Sequence, residues 1–121
     1  MTAALATAGC ARLDWHADRQ ALARVALLRQ AEADFRGAYG KYGGLKELVR
    51  FWPETGERMV NHGDYARHRF TVSVTADGYT IHADLVRPGK GARRSFYCDQ
   101  SGVIRGREGT APADTASPPA R

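Results

Sequence analysis

Cys98 stands in the stretch RRSFYCDQSGVIRG, residues 93–106, a few positions after Arg93 and Arg94. A cysteine nucleophile attacks as the thiolate and needs a base and an exposed, electropositive setting. The alternation of the stretch instead puts Cys98 beside Phe96 on the covered face of a strand. Free cysteine is among the most buried residue types, so this one reads as a structural thiol. His62, Asp64, His68, His82 and Asp84 are the other residues whose chemistry could gather, round a metal. Alternation places His82 on the polar face of its strand, whereas His68 shares parity with Phe70. Opposite faces argue against shared ligation. His62 and Asp64 fall in a loop. No HExxH, facial-triad or EF-hand spacing occurs, and the two cysteines, Cys10 and Cys98, match no zinc motif. No acid pair, Ser-His-Asp ordering or cofactor fingerprint is present. The expectation is a chain with no catalytic residues, no metal and no cofactor.

The formal charge of +5 invites a reading as a nucleic-acid binder. Arg87, Lys90, Arg93 and Arg94 concentrate positive charge in one loop, RPGKGARR, and Tyr79 and Tyr97 could stack on bases. Such a loop gives salt-dependent affinity for phosphates. The same composition also keeps a small domain soluble and guards a sheet edge. Both readings stay open at this point. The glycines of GAYGKYGG, residues 37–44, do not make a phosphate loop, because that loop follows a strand and opens a helix. This cluster follows a helical run and reads as a helix stop. The opening MTAALATAGC looks like the end of a bacterial lipoprotein signal, which makes Cys10 a candidate for lipidation. No basic region precedes it and its apolar stretch is short. A frayed, alanine-rich N-terminus fits the same residues, and so does a Cys10–Cys98 disulfide in an exported chain without lipid.

These residues must be positioned by the elements around them. The 121 residues suffice for one domain with a modest core. From Asp14 to Tyr39, Ala21, Val25, Leu28, Ala31, Phe35, Ala38 and Tyr42 recur at three- and four-residue steps, with Leu22 widening the stripe. The spacing predicts a helix about 35 Å long. A short helix is expected over 45–52, stopped by Pro53. The period then changes to two. Phe70, Val72 and Val74 alternate with polar residues, and so do Tyr79, Ile81, Ala83 and Leu85 after Asp77-Gly78, a strong hairpin signal. SFYCD and VIR supply a third and a fourth strand. The expected fold is α+β: a long N-terminal helix packed on a three- to four-stranded antiparallel sheet. Residues 1–12 read as a signal remnant or frayed start, 13–106 as the domain, and 107–121, lacking large apolar residues, as a disordered tail. No run of 18 apolar residues exists that could span a membrane as a helix.

The order of these segments resembles a known family. EADFRGAYGKYGGLKELV, the hairpin around DGY, and RPGKGARRSFYCDQSGVIR together look like the globular half of type IV pilin-like proteins and secretion pseudopilins. The positions that carry the likeness are Tyr39, Gly40, Tyr42, Gly43 and Leu45, then Ser95, Phe96, Tyr97, Asp99, Gly102, Ile104 and Arg105. The sequence begins without a prepilin cleavage site, and the polar ARLDWHADRQ occupies the place of the family's hydrophobic helix. The resemblance implies a pilin-like fold and a non-enzymatic cell-envelope protein on the periplasmic or extracellular side, tethered to the membrane if Cys10 is lipidated. It implies partners among other pilin-like or secretion-system proteins, acting by assembly or protein contacts, with no small-molecule substrate. Nucleic-acid binding of the DNA-uptake type, through Arg87, Lys90, Arg93 and Arg94, is the alternative. No catalytic or ligand residues carry over from the family.

Overall fold

The computed structural model describes residues 16–50 and 64–120. Cys10, His62, Pro53 and the last two residues of the expected 45–52 helix, Phe51 and Trp52, therefore lie outside the described residues. The fold is α+β. Helix α1, Ala17–Tyr39, and the single turn α2, Leu45–Leu48, precede four strands: β1 His68–Val74, β2 Tyr79–Leu85, β3 Arg94–Asp99 and β4 Ile104–Glu108. The strands follow one another in the antiparallel sheet in chain order, and α1 packs on β2 and β3.

Alanine, the best helix former, fills both sides of α1, and neither glycine nor proline appears before Gly37. Ala17, Ala21, Val25, Leu28, Ala31 and Phe35 are buried, at helical steps. Ala38, expected on the same stripe, is exposed. Gly40 ends the helix at φ 73°, and its N–H donates to Arg36 O at 2.7 Å. A side chain there would carry the steric cost of the left-handed region.

The sheet meets the helix through two rows of facing residues. One runs Phe70, Ala83, Phe96, Gly106 across the four strands, and the next runs Val72, Ile81, Cys98, Ile104. In the first row large and small side chains alternate, so the two phenylalanines have room to reach the helix. Phe96 is wholly buried and Phe70 nearly so. Burial of each such ring contributes about 2–3 kcal/mol. The Asp77-Gly78 signal marked the turn. Pairing stops at Val74–Tyr79, however, so the loop has four residues, closed by Thr75 N–H donating to Gly78 O at 2.9 Å.

The C-terminal segment departs from expectation. β4 continues through Glu108, and the chain then returns along its outer edge instead of trailing as a disordered tail. Gly106 N–H donates to Pro118 O at 2.9 Å, Ala120 N–H donates to Ile104 O at 2.8 Å, and the Arg105 guanidinium donates to Ser117 O at 2.8 Å. Ala113 and Ser117 are buried. Composition counts apolar side chains and finds few here. The segment is held instead by the unpaired backbone groups of an edge strand, which composition does not register.

Candidate functional site

The basic loop is tied down where it meets the start of α1. Asp18 anchors it from both ends of its own residue. Its backbone N–H donates to Gly91 O at 2.6 Å, and its carboxylate accepts from Arg93 N–H at 3.0 Å and Arg94 N–H at 3.2 Å. A carboxylate in the first helical turn also faces the positive end of the helix dipole. His68, fully buried, lies beneath. Its Nδ1 is 2.6 Å from Ala66 O and its Nε2 is 2.6 Å from Arg94 O. Both ring nitrogens thus face backbone carbonyls. The Asp18 carboxylate lies 3.6 Å from Nε2, so the ring is engaged by protein groups on both sides.

The four cations expected to act together have different surroundings. Arg94 lies 3.7 Å from Asp18 and its guanidinium stacks on Phe96; Arg87 lies 3.7 Å from Asp64; Lys90 and Arg93 are exposed. Arg67 joins them, its guanidinium donating to Arg87 O at 3.4 Å. It belongs to a tight turn in which Tyr65 and His68 exchange backbone hydrogen bonds while Ala66 and Arg67 sit at φ 52° and 63°. Two positive φ values are what a mirror-image hairpin turn demands, and non-glycine residues hold them at about 1–2 kcal/mol each. Sequence reading did not find this turn, because neither residue is a turn former.

Cys98 is wholly buried beneath α1. Desolvation pushes its thiol up to about 11, with Arg29 partly opposing, so the nucleophilic thiolate is suppressed. His82 is on the other face of the sheet from His68, edge-on to Tyr97 with ring centres 5.2 Å apart. Among the described residues, no three histidines, cysteines or carboxylates stand close enough to share a metal. Asp99 sits below the usual carboxylate range although burial opposes this: Ser101 hydrogen bonds to it, as does the Tyr97 hydroxyl at 2.9 Å, and Arg105 adds attraction. These contacts fix the β3–β4 turn. Tyr97 is itself pushed up to about 12, first by burial and then by that bond.

Two further features lie at the other end of α1. Glu32 is wholly buried. Its Oε1 accepts from Gly43 N–H at 2.8 Å, and its Oε2 has no partner. Burial pushes it up to about 7, with Glu47 adding to the effect and the Gly43 bond resisting it. The contact pulls the glycine loop onto the helix, where a Cβ on Gly43 would come within 3.1 Å of Phe35. The sequence carried a signal for this: Glu32 stands four residues after Leu28 and three before Phe35, inside the apolar stripe. Beside it, α1, β2 and the β3–β4 turn enclose an open cleft of about 590 Å³ lined by Arg29, Arg36, Tyr42, Tyr79 and Gln100, with Ala33, Gly37 and Gly102 between them.

The chain matches no family model, no curated protein and no solved structure.

Proposed function

We propose that this chain is a non-enzymatic cell-envelope protein of the type IV pilin and pseudopilin kind, working on the periplasmic or extracellular side through assembly with like or secretion-system proteins. The observation that carries the reading is the two-sided character of α1. One side covers a sheet whose strands follow in chain order. The other side, facing water, sets Ala23, Leu27, Ala33 and Ala38 among the charges of Arg19, Asp34 and Arg36, so small side chains leave room for a second protein surface between groups that can pair with it. The segments that carry the family likeness also sit at the joints of the fold. YGKYGGL caps α1 and docks on Glu32, and SFYCDQSGVIR forms the β3–β4 hairpin beneath it. No helix among the described residues is long and apolar enough to cross a membrane.

The test uses the chain expressed with its natural upstream sequence in its own cell. Leu27→Cys, combined with oxidative cross-linking, should give dimers and higher multimers in envelope fractions. Leu27→Glu should abolish multimers seen for the unmodified protein by chemical cross-linking. A monomer confined to the cytoplasm, with no cross-linked species, overturns the proposal.

A second reading, nucleic-acid binding of the DNA-uptake type, draws support from the gathering of Arg67, Arg87, Lys90 and Arg93 at one end of the sheet. Against it, Asp64 and Asp18 lie beside two of the original four cations. A titration with duplex DNA across salt decides it: affinity that falls steeply with salt supports binding, and no affinity at low salt removes it.

A further inference from the structure

We infer that the cleft between α1 and the β3–β4 turn is a binding site for a small organic oxyanion, a carboxylate or phosphate carried on a flat apolar body. This stands apart from the assembly reading and does not depend on it. The lining includes two guanidiniums and no carboxylate. Arg29 and Arg36 are seven residues apart on one helix, which puts them on the same side, about 10 Å apart along the axis. Arg29 is held in place: one N–H donates to Gly102 O at 2.7 Å, bridging α1 to the β3–β4 turn. Its remaining N–H donors keep the planar fork that pairs with carboxylate and phosphate. Arg36 lies over the ring of Tyr42, 4.7 Å from its centre, a posture that orients the guanidinium without neutralising it.

Depth comes from small residues beside the two arginines. Ala33 and Gly37 line the same strip, and a Cβ on Gly37 would meet nothing within 4 Å. The far wall is aromatic. Tyr42 and Tyr79 meet edge to face with ring centres 4.8 Å apart. Gln100 is fixed beside them, its carbonyl accepting from Tyr79 N–H at 3.3 Å. Of the two acids on the helix between the arginines, Glu32 turns to the core and accepts from Gly43 N–H, and Asp34 accepts from Gln30 at 3.1 Å and is not among the residues lining the cleft. A volume of about 590 Å³ falls in the range of small-molecule sites. Fixed cations beside an aromatic wall over a floor of small residues select an anion with a flat body over a bare ion.

The experiment is a two-dimensional NMR titration of the whole chain with phenyl phosphate, benzoate, inorganic phosphate and the neutral benzamide. Phenyl phosphate or benzoate should shift the amides of Gly37, Gln100 and Gly102 and saturate with a dissociation constant of about 1 mM or tighter. Benzamide should bind at least tenfold more weakly. Inorganic phosphate tests the flat body: binding as tight as that of phenyl phosphate at the same amides would overturn that part of the inference. Arg36→Ala, at an exposed position, should weaken binding at least tenfold, and so should Arg29→Ala if its spectrum remains folded. Arg93→Ala, in the basic loop, should leave binding unchanged. Shifts centred on residues 87–94, equal binding of benzamide, or an Arg36→Ala protein that binds as before would each overturn the site.

Discussion

Replacing Glu32 with glutamine tests how the glycine loop is held to the helix. The carboxyl is wholly buried, has one hydrogen bond, from Gly43 N–H, and leaves Oε2 unpaired. Burial moves it from an ordinary value of 4.5 up to about 7. The folded protein therefore holds a proton that the unfolded chain releases at lower pH. The stability this gives is fully present below 4.5, and it is lost as pH rises through about 7. At about 1.4 kcal/mol per pH unit, the loss is roughly 3 kcal/mol. Glu32→Gln keeps the acceptor for Gly43 and removes the ionisation. Its buried amide leaves N–H groups unpaired, at about 1 kcal/mol. The variant should therefore be about 1 kcal/mol less stable than the parent near pH 4.5, and about 2 kcal/mol more stable at pH 8. Urea unfolding of both proteins across this range measures the difference, and the other titrating groups cancel because the two chains share them. A difference that does not change with pH would refute the account, because Glu32 would then titrate alike in both states.

Asp18→Ala should destabilise the fold by about 3 kcal/mol, read as a lower urea midpoint with unchanged slope, because Arg93 N–H and Arg94 N–H lose a charged acceptor. Asp34→Ala, on the exposed side of the same helix, should stay within about 0.5 kcal/mol of the parent. At Arg67, held at φ 63°, glycine should raise stability by about 0.5 kcal/mol, relief of strain outweighing the entropy of glycine. Valine there should lower it by about 2 kcal/mol; thermal unfolding that ranks valine level with glycine would remove the strain argument. Deleting residues 109–121 should cost about 2 kcal/mol in urea unfolding, since Pro118, Ala120 and Ser117 supply hydrogen-bond partners to β4. Cys98 should resist iodoacetamide in the native protein and react once unfolded by urea; rapid native labelling would show that the thiol is not covered by α1.

Much of the architecture was legible because it depends on period. A three-to-four-residue repeat of apolar side chains specifies one helix face, and strict alternation specifies sheet faces, so the burial of Cys98, His68 and Phe96 followed from parity. Boundaries were less legible. α1 begins at Ala17, three residues later than the pattern suggested, where Asp18 engages the loop of residues 87–94. That contact joins residues 75 positions apart, which no local signal marks.

The sequence by itself determined the element types, the covered face of each strand and the helix stop at Gly40, because propensity, period and backbone freedom act within a few residues. Only the tertiary structure decided that Glu32, though placed in the apolar stripe, would gain a raised proton affinity, and that the C-terminal segment would line β4. It also decided that Arg29 and Arg36 would share a cleft with Tyr42 and Tyr79. Each of these depends on desolvation or on backbone hydrogen bonds across distant segments, and neither quantity exists until the chain has closed on itself.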